Sequence, residues 1–233
     1  MSVPTVGDRV DSDVLDRLLR ERWSCRGFRE EPVAPAVVEE ILRAARHAPS
    51  WCNTQPWHLH VISGAAIGRF REGLAARVAA GPREESDFPF PGEYTGVHAE
   101  RRRASGWQLY DAVGIGKGDR AASGREMLRN FDCFGAPHVA IVTTAAELGL
   151  YGAVDCGLFV QSFLLAAYAR GVGTVPQAAL ASQAPFIREF LGLSEERRVL
   201  VGISFGYPDD EHPTNSYRTD RQSVADLATI IDD

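Results

Sequence analysis

Gly152-Ala-Val-Asp-Cys-Gly-Leu-Phe-Val-Gln-Ser-Phe-Leu-Leu-Ala-Ala-Tyr-Ala-Arg170 decides how this chain must fold. A helix over these residues is apolar around most of its circumference, so it has no face to give to water and belongs at the centre of a core. Gly171 follows at once and suits the left-handed cap that ends many helices. By length the 19-residue stretch would span a bilayer, but Asp155, Gln161, Ser162 and Arg170 interrupt it and no second such segment exists. It reads as a core helix, and no membrane partner is expected.

Outward from this helix the elements alternate irregularly. Val14-Leu-Asp-Arg-Leu-Leu19 has apolar residues at helical spacing, with Asp11 or Ser12 placed to cap it and an end near Arg22. Pro35 fits the first turn of a second helix over 36–47, where Val37, Val38, Ile41, Leu42 and Ala45 form one stripe and Pro49 stops the run. Strands are predicted at 57–62, at the β-branched run 138–144 and at 198–205, the last ending in Gly206; further helices are predicted at 65–80 and 186–191. The segment 82–134 is the least regular, and from Asp209 a polar arm, 209–233, leads into a last short helix. Strands separated by helices of unequal length, with no internal repeat, argue for a three-layer α+β sandwich rather than a regular doubly wound sheet. No Pro/Gly/Ser-rich linker divides residues 1–233, so one domain is expected.

Composition narrows the function classes. The 233 residues are 45% hydrophobic and 24% charged, enough for a sizeable soluble core. A net charge of −6 and a pI near 5.6 argue against a nucleic-acid partner. Residues 1–11 lack the apolar run of a signal peptide, so the cytoplasm is the expected compartment. Cys25, Cys52, Cys133 and Cys156 stand far apart with no Cys-x-x-Cys pair, which suggests reduced thiols and neither a disulfide framework nor a metal site.

Three weaker motifs are read more simply as structure than as phosphate, metal or nucleic-acid sites. Gly114-Ile-Gly-Lys-Gly118 lacks both the spacing and the preceding strand of a phosphate loop. His58-Leu-His60 would share one face of a strand, yet no third metal ligand lies nearby. Arg101-Arg-Arg103 reads as a solvated helix face or an ion-pair partner.

Two other segments are hard to explain by packing. Arg22-Trp-Ser-Cys-Arg26 puts two guanidiniums and a hydroxyl within five residues just past a helix, a set suited to phosphate. Ala48-Pro-Ser-Trp-Cys-Asn-Thr-Gln-Pro-Trp57 presents amide and hydroxyl groups on a stretch that Pro49 and Pro56 keep out of helix. With Gly173-Thr-Val-Pro-Gln177 and Asn215-Ser-Tyr-Arg-Thr-Asp-Arg221, these segments resemble the nitroreductase family of FMN-dependent, homodimeric oxidoreductases, over roughly residues 16–228.

The resemblance implies a mixed central sheet, a C-terminal arm exchanged between subunits, and a set of residue roles. Arg22 and Ser24 would bind the FMN phosphate with help from Arg218 or Arg221, Trp23 would add backbone contacts, and Arg26 would lie beside N1 and O2 of the flavin, favouring its reduced anionic form. Ser50, Asn53 and Gln55 resemble the turn that reaches the flavin of the other subunit. The homodimer would then have shared active sites and an interface above about 2,000 Å². Pro176, Gln177 and Ala178 would approach the ring, with a backbone N–H bonding N5 and nearby glycines avoiding a Cβ clash. NADH or NADPH would deliver hydride to the flavin, and a small aromatic acceptor of nitroaromatic or quinone type would take its place in a ping-pong cycle. No catalytic side chain and no metal is required.

Acceptor choice is assigned to the aromatic-rich segment 82–134, with Tyr94, Trp107, Phe131 and Phe134 as candidate substrate-binding residues; the same aromatics would alternatively anchor a helical excursion on the core. Two other functions stay open: a flavoenzyme of the same fold with different chemistry, such as dehalogenation, ring oxidation or flavin cleavage, and a non-catalytic FMN-binding protein.

Overall fold

The computed structural model describes residues 12–81 and 85–232. Expectations placed on residues 1–11, including the cap at Asp11, and on 82–84 and 233 lie outside these. From the N-terminus come helices α1 (Ser12–Glu21) and α2 (Pro35–Ala45), strand β1 (His58–Ser63), and helices α3 (Ala65–Ala79), α4 (Gly96–Ala112) and α5 (Arg120–Leu128). Strand β2 (His138–Ala145), helix α6 (Gly149–Tyr168), strand β3 (Gly173–Gln177), helices α7 (Ala178–Ala181) and α8 (Ala184–Leu191), strand β4 (Arg197–Gly206) and helix α9 (Val224–Leu227) complete it.

The four strands form one sheet in the order β1-β2-β4-β3. Successive side chains of β2 point to opposite faces, and both faces are covered, so the strand is buried almost throughout. Ala140 and Val142 join Ile41 of α2 and Phe159 and Phe163 of α6 in one core. Val139 and Ile141 join Phe70 and Leu74 of α3, Leu180 of α7 and Ile187 of α8 in the other. This is the expected three-layer α+β arrangement, with α2 and α6 on one side of the sheet and α3, α7 and α8 on the other. α6 buries Phe159, Phe163 and Leu164, each worth about 1.5–3 kcal/mol of hydrophobic transfer. Gly171 has φ +72, the left-handed conformation its position called for.

Three features differ from expectation. All named strands pair antiparallel, so the mixed character expected of the sheet is confined to an isolated parallel bridge between Ser24 and Thr174. The segment 82–134 is largely helical where it is described: α4 and α5 fill it, and α4 escapes periodicity because it buries none of its residues. Gly173-Thr-Val-Pro-Gln177 is strand β3, an element absent from the strands predicted from sequence. Pro176 is tolerated there because β3 is the outermost named strand, where a missing N–H costs little.

The site is positioned by the stretch that follows α1. Cys25 N donates to Thr174 O at 2.9 Å, alongside β3, and Arg29 N donates to Tyr207 O at 2.9 Å, alongside the continuation of β4. A Cβ added at Gly173 would stand 2.9 Å from the Cys25 Sγ. The expected lack of room at this glycine is therefore real, but its cause is the Cys25 side chain.

Candidate functional site

Residues from the two ends of the chain meet in a cavity of about 500 Å³. Arg22, Trp23, Ser24 and Arg26 form one side of it, and Tyr217, Arg218 and Arg221 of the C-terminal arm the other. Arg20 also lines it, giving five guanidiniums and no carboxylate among the lining residues. Asn215 holds the arm in place. Its Oδ1 accepts from Arg26 N at 3.0 Å, and its Nδ2 donates to Gly27 O at 2.9 Å and to Asp209 O at 2.8 Å.

Electrostatics within the cavity call for an anion. The Arg22 Nε and the Trp23 Nε1 are buried and have no hydrogen-bond partner. Burial, and then the neighbouring Arg221, push the Arg22 guanidinium below its ordinary pKa. Buried donors without acceptors are costly unless a ligand supplies the acceptor. Arg218 is differently placed: its Cζ lies 4.2 Å from the Trp23 ring centroid, and its Nη1 donates to Asn215 O and Tyr217 O at 2.8 Å. Trp23 is thus a side-chain platform, beyond the backbone contacts expected of it. Arg26 Nη1 donates to Ser24 O at 3.3 Å and to Tyr217 Oη at 3.2 Å.

A second set of groups fixes Arg26 from behind. Arg129 Nη2 donates to Arg26 O at 2.8 Å, and Arg129 Nη1 pairs with Glu126 at 3.2 Å. Both guanidiniums lie over the Phe134 ring, at 5.9 Å for Arg26 and 5.5 Å for Arg129. Phe134 is buried, and Phe131 packs on the α3–α8 core. Neither lines the arginine cavity or the cavity that adjoins it, in keeping with the alternative that the aromatics anchor a helical excursion. Trp107 does line a cavity, the second one beside Arg26, and Tyr94 carries the Arg102 guanidinium 5.2 Å above its ring.

The remaining expected residues stand apart. Ser50, Asn53 and Gln55 form a tight turn: Ser50 Oγ accepts from Gln55 N at 3.0 Å and Gln55 Nε2 donates to Asn53 O at 3.2 Å. Cys52, Asn53 and Gln55 have φ of 51, 55 and 47 degrees, in a region disfavoured for residues other than glycine. Asn53 and Gln55 are exposed and do not line the arginine cavity of their own chain. Gln177 is buried; its Oε1 accepts from Ser204 Oγ at 2.5 Å and its Nε2 donates to Asn130 O at 2.8 Å, so its side chain ties β3 to β4 and to the end of α5. Ala178 opens α7 and is exposed. Among the described residues no three His, Cys, Asp or Glu side chains are grouped to hold a metal.

Sequence reasoning overlooked Asn215, Tyr217, Ser105, Arg20 and Arg129. The first two lie inside a stretch already singled out, and their polar side chains beside two arginines were the available signal. Arg129 gave none, since only folding brings it to Arg26.

An α+β sandwich with an arginine-lined cavity at the outer edge of its sheet is the class these observations define. The sequence model of the Nitroreductase family matches residues 19–207, and the chain belongs to that family. It is 38% identical over 230 residues to nitroreductase NfnB of Mycolicibacterium smegmatis, covering 97% of each chain. The crystal structure of that FMN-dependent enzyme in complex with NADPH superposes with a TM-score of 0.88 at 35% identity, covering 95% of this chain and 99% of that one. Nitrobenzene nitroreductase of Ectopseudomonas oleovorans is 33% identical, with 94% of this chain and 98% of the relative covered.

Proposed function

We propose that this protein is an FMN-dependent NAD(P)H oxidoreductase that reduces nitroaromatic or quinone-type acceptors. The observation that carries the reading is the buried, unpartnered Arg22 Nε in a cavity with five guanidiniums and no carboxylate. The residues present fit FMN. Arg22, Ser24 and Arg221 would hold its phosphate, with Arg218 stacked on Trp23 beside them, and Arg26 would meet the pyrimidine edge of the ring. When bound, FMN supplies a ring that takes up hydride from a nicotinamide and gives it to an acceptor. The side chains bind and orient, and their positive field stabilises negative charge developing near Arg26. One pocket serves donor and acceptor in turn, which is the ping-pong order.

The turn at 50–55 completes the site only if it belongs to a second copy. It adjoins an apolar face on which Leu150, Tyr151, Val154 and Leu158 of α6 are exposed with Trp51, which is 63% exposed. Such a face suits a homodimer, in which Asn53 and Gln55 would reach the partner's flavin.

A visible spectrum of the purified protein with FMN, before and after anaerobic NADPH, tests the reading. Bound flavin bleached by NADPH and recoloured by a nitroarene is expected. A protein that retains no flavin would overturn it, whereas flavin that no nicotinamide reduces would leave a binding protein.

A further inference from the structure

A second cavity, of about 420 Å³, adjoins the first and shares Arg26, Ser105 and Tyr217 with it. Its outer wall is one face of α4. Arg103, Gly106, Trp107 and Tyr110 lie one, four, five and eight residues after Arg102, which places the five on adjacent rows of the helix. Trp107 and Tyr110 meet edge to face, with centroids 5.8 Å apart.

The lining has a definite chemistry. It contains three guanidiniums, three aromatic rings and no carboxylate. Arg102 and Arg103 are exposed, and among the described residues neither has an ion pair or a hydrogen bond; Arg102 is steadied only by the Tyr94 ring. Like charges on one rim raise each other's energy and are relieved by an anion. Adjacent rings offer edges and faces to a planar ligand, and the volume falls in the range of about 300–1,000 Å³ usual for small-molecule sites.

We propose that this cavity is the acceptor subsite and that Arg102 and Arg103 select aromatic acceptors bearing an anionic substituent, such as a carboxylate. This rests on the flavin reading of the adjoining cavity, which puts the reacting ring on the Arg26 side. The charge and the ring of the acceptor are then recognised together, at opposite ends of one pocket. The phosphates of a nicotinamide donor offer similar charge, so the experiment separates the two sources.

The Arg102→Gln/Arg103→Gln variant is compared with wild type using 4-nitrobenzoate and nitrobenzene as acceptors and NADPH as donor. The ratio of kcat/KM for the charged acceptor over the neutral one should fall at least about tenfold, through KM. An unchanged ratio overturns the proposal. So does an unchanged ratio with weaker NADPH binding in the anaerobic half-reaction, which would assign the arginines to the donor. If wild type holds no flavin, the flavin reading fails separately, and calorimetric titration decides the subsite alone. Tighter binding of 4-nitrobenzoate than of nitrobenzene, lost in the variant, sustains it; equal binding sinks it.

Discussion

Replacing Arg22 by glutamine should weaken FMN binding while leaving the flavin-free fold as stable as before, or more so. In the free chain Arg22 is half-buried, its Nε has no acceptor, and Arg221 lies close enough to depress its pKa. Removing such a charge costs the fold little and relieves a repulsion. With phosphate present, the same guanidinium makes a charge-assisted hydrogen bond worth about 1.5–3 kcal/mol, so its loss should raise the FMN Kd about 10- to 150-fold. A purely structural arginine would behave the other way, lowering stability and leaving affinity alone. Flavin fluorescence titration gives the affinity, and urea denaturation of the flavin-free protein gives the stability. A Kd within about threefold of wild type, or a flavin-free variant less stable by more than about 1 kcal/mol, refutes the assignment.

Other perturbations probe the frame of the site. Gly173→Ala would place a Cβ 2.9 Å from Cys25 and 3.1 Å from Pro208; overpacking of this kind costs about 1–3 kcal/mol. Urea denaturation would read the loss, and no loss would mean that the Cys25 segment shifts freely. Asp87 is 4% exposed at its side chain, pairs with Arg188 at 2.6 Å and accepts from Val199 N at 2.7 Å. Asp87→Ala should therefore cost about 3–5 kcal/mol, and a denaturation midpoint equal to wild type would contradict that. His138 Nε2 accepts from Val33 N at 2.9 Å, and burial lowers its pKa. The unfolded chain then takes up a proton near pH 6.5 while the folded one waits for lower pH, so stability is level above about 6.5 and falls below it. His60 and His212 are shifted down as well and add to the slope. Denaturation at about pH 7.5 and 5.5 should show a smaller loss for His138→Gln than for wild type; an equal loss would exonerate this histidine.

Periodicity made the centre of the fold legible. α6, α2, α3, β2 and β4 lie within a few residues of where apolar spacing put them, because each buries a stripe or a face against the sheet. α4 had no such stripe to read, and β3 was hidden by Pro176, which only its outer position makes acceptable. In the site, residue type marked Arg22, Ser24 and Arg26 as an anion-binding set, but only the resemblance to the family brought Arg218 and Arg221 to them. Gln177 was expected to reach the ring through a backbone N–H, and the ties of its side chain to Ser204 and Asn130 are ones that only the folded strand pair reveals.

The turn at 50–55 supports one further prediction, because its geometry makes little sense within a single chain. Three non-glycine residues at positive φ each cost about 1–3 kcal/mol, yet Asn53 and Gln55 point no hydrogen-bonding group at the arginine cavity of their own subunit. Strain held in place by Ser50 and by Asp155, which accepts from Trp51 N at 3.1 Å, suggests a group presented to something outside the chain. Subunit mixing tests whether that something is the partner's flavin. Arg22→Ala and Asn53→Ala proteins, each defective alone, are refolded together. If every site draws Arg22 from one subunit and Asn53 from the other, a mixed dimer holds one intact and one doubly altered site. Random pairing at equal amounts then restores about a quarter of wild-type sites. If instead each site is built within one chain, every subunit in the mixture lacks one of its own groups. Flavin binding and turnover would then stay at the level of the separate variants.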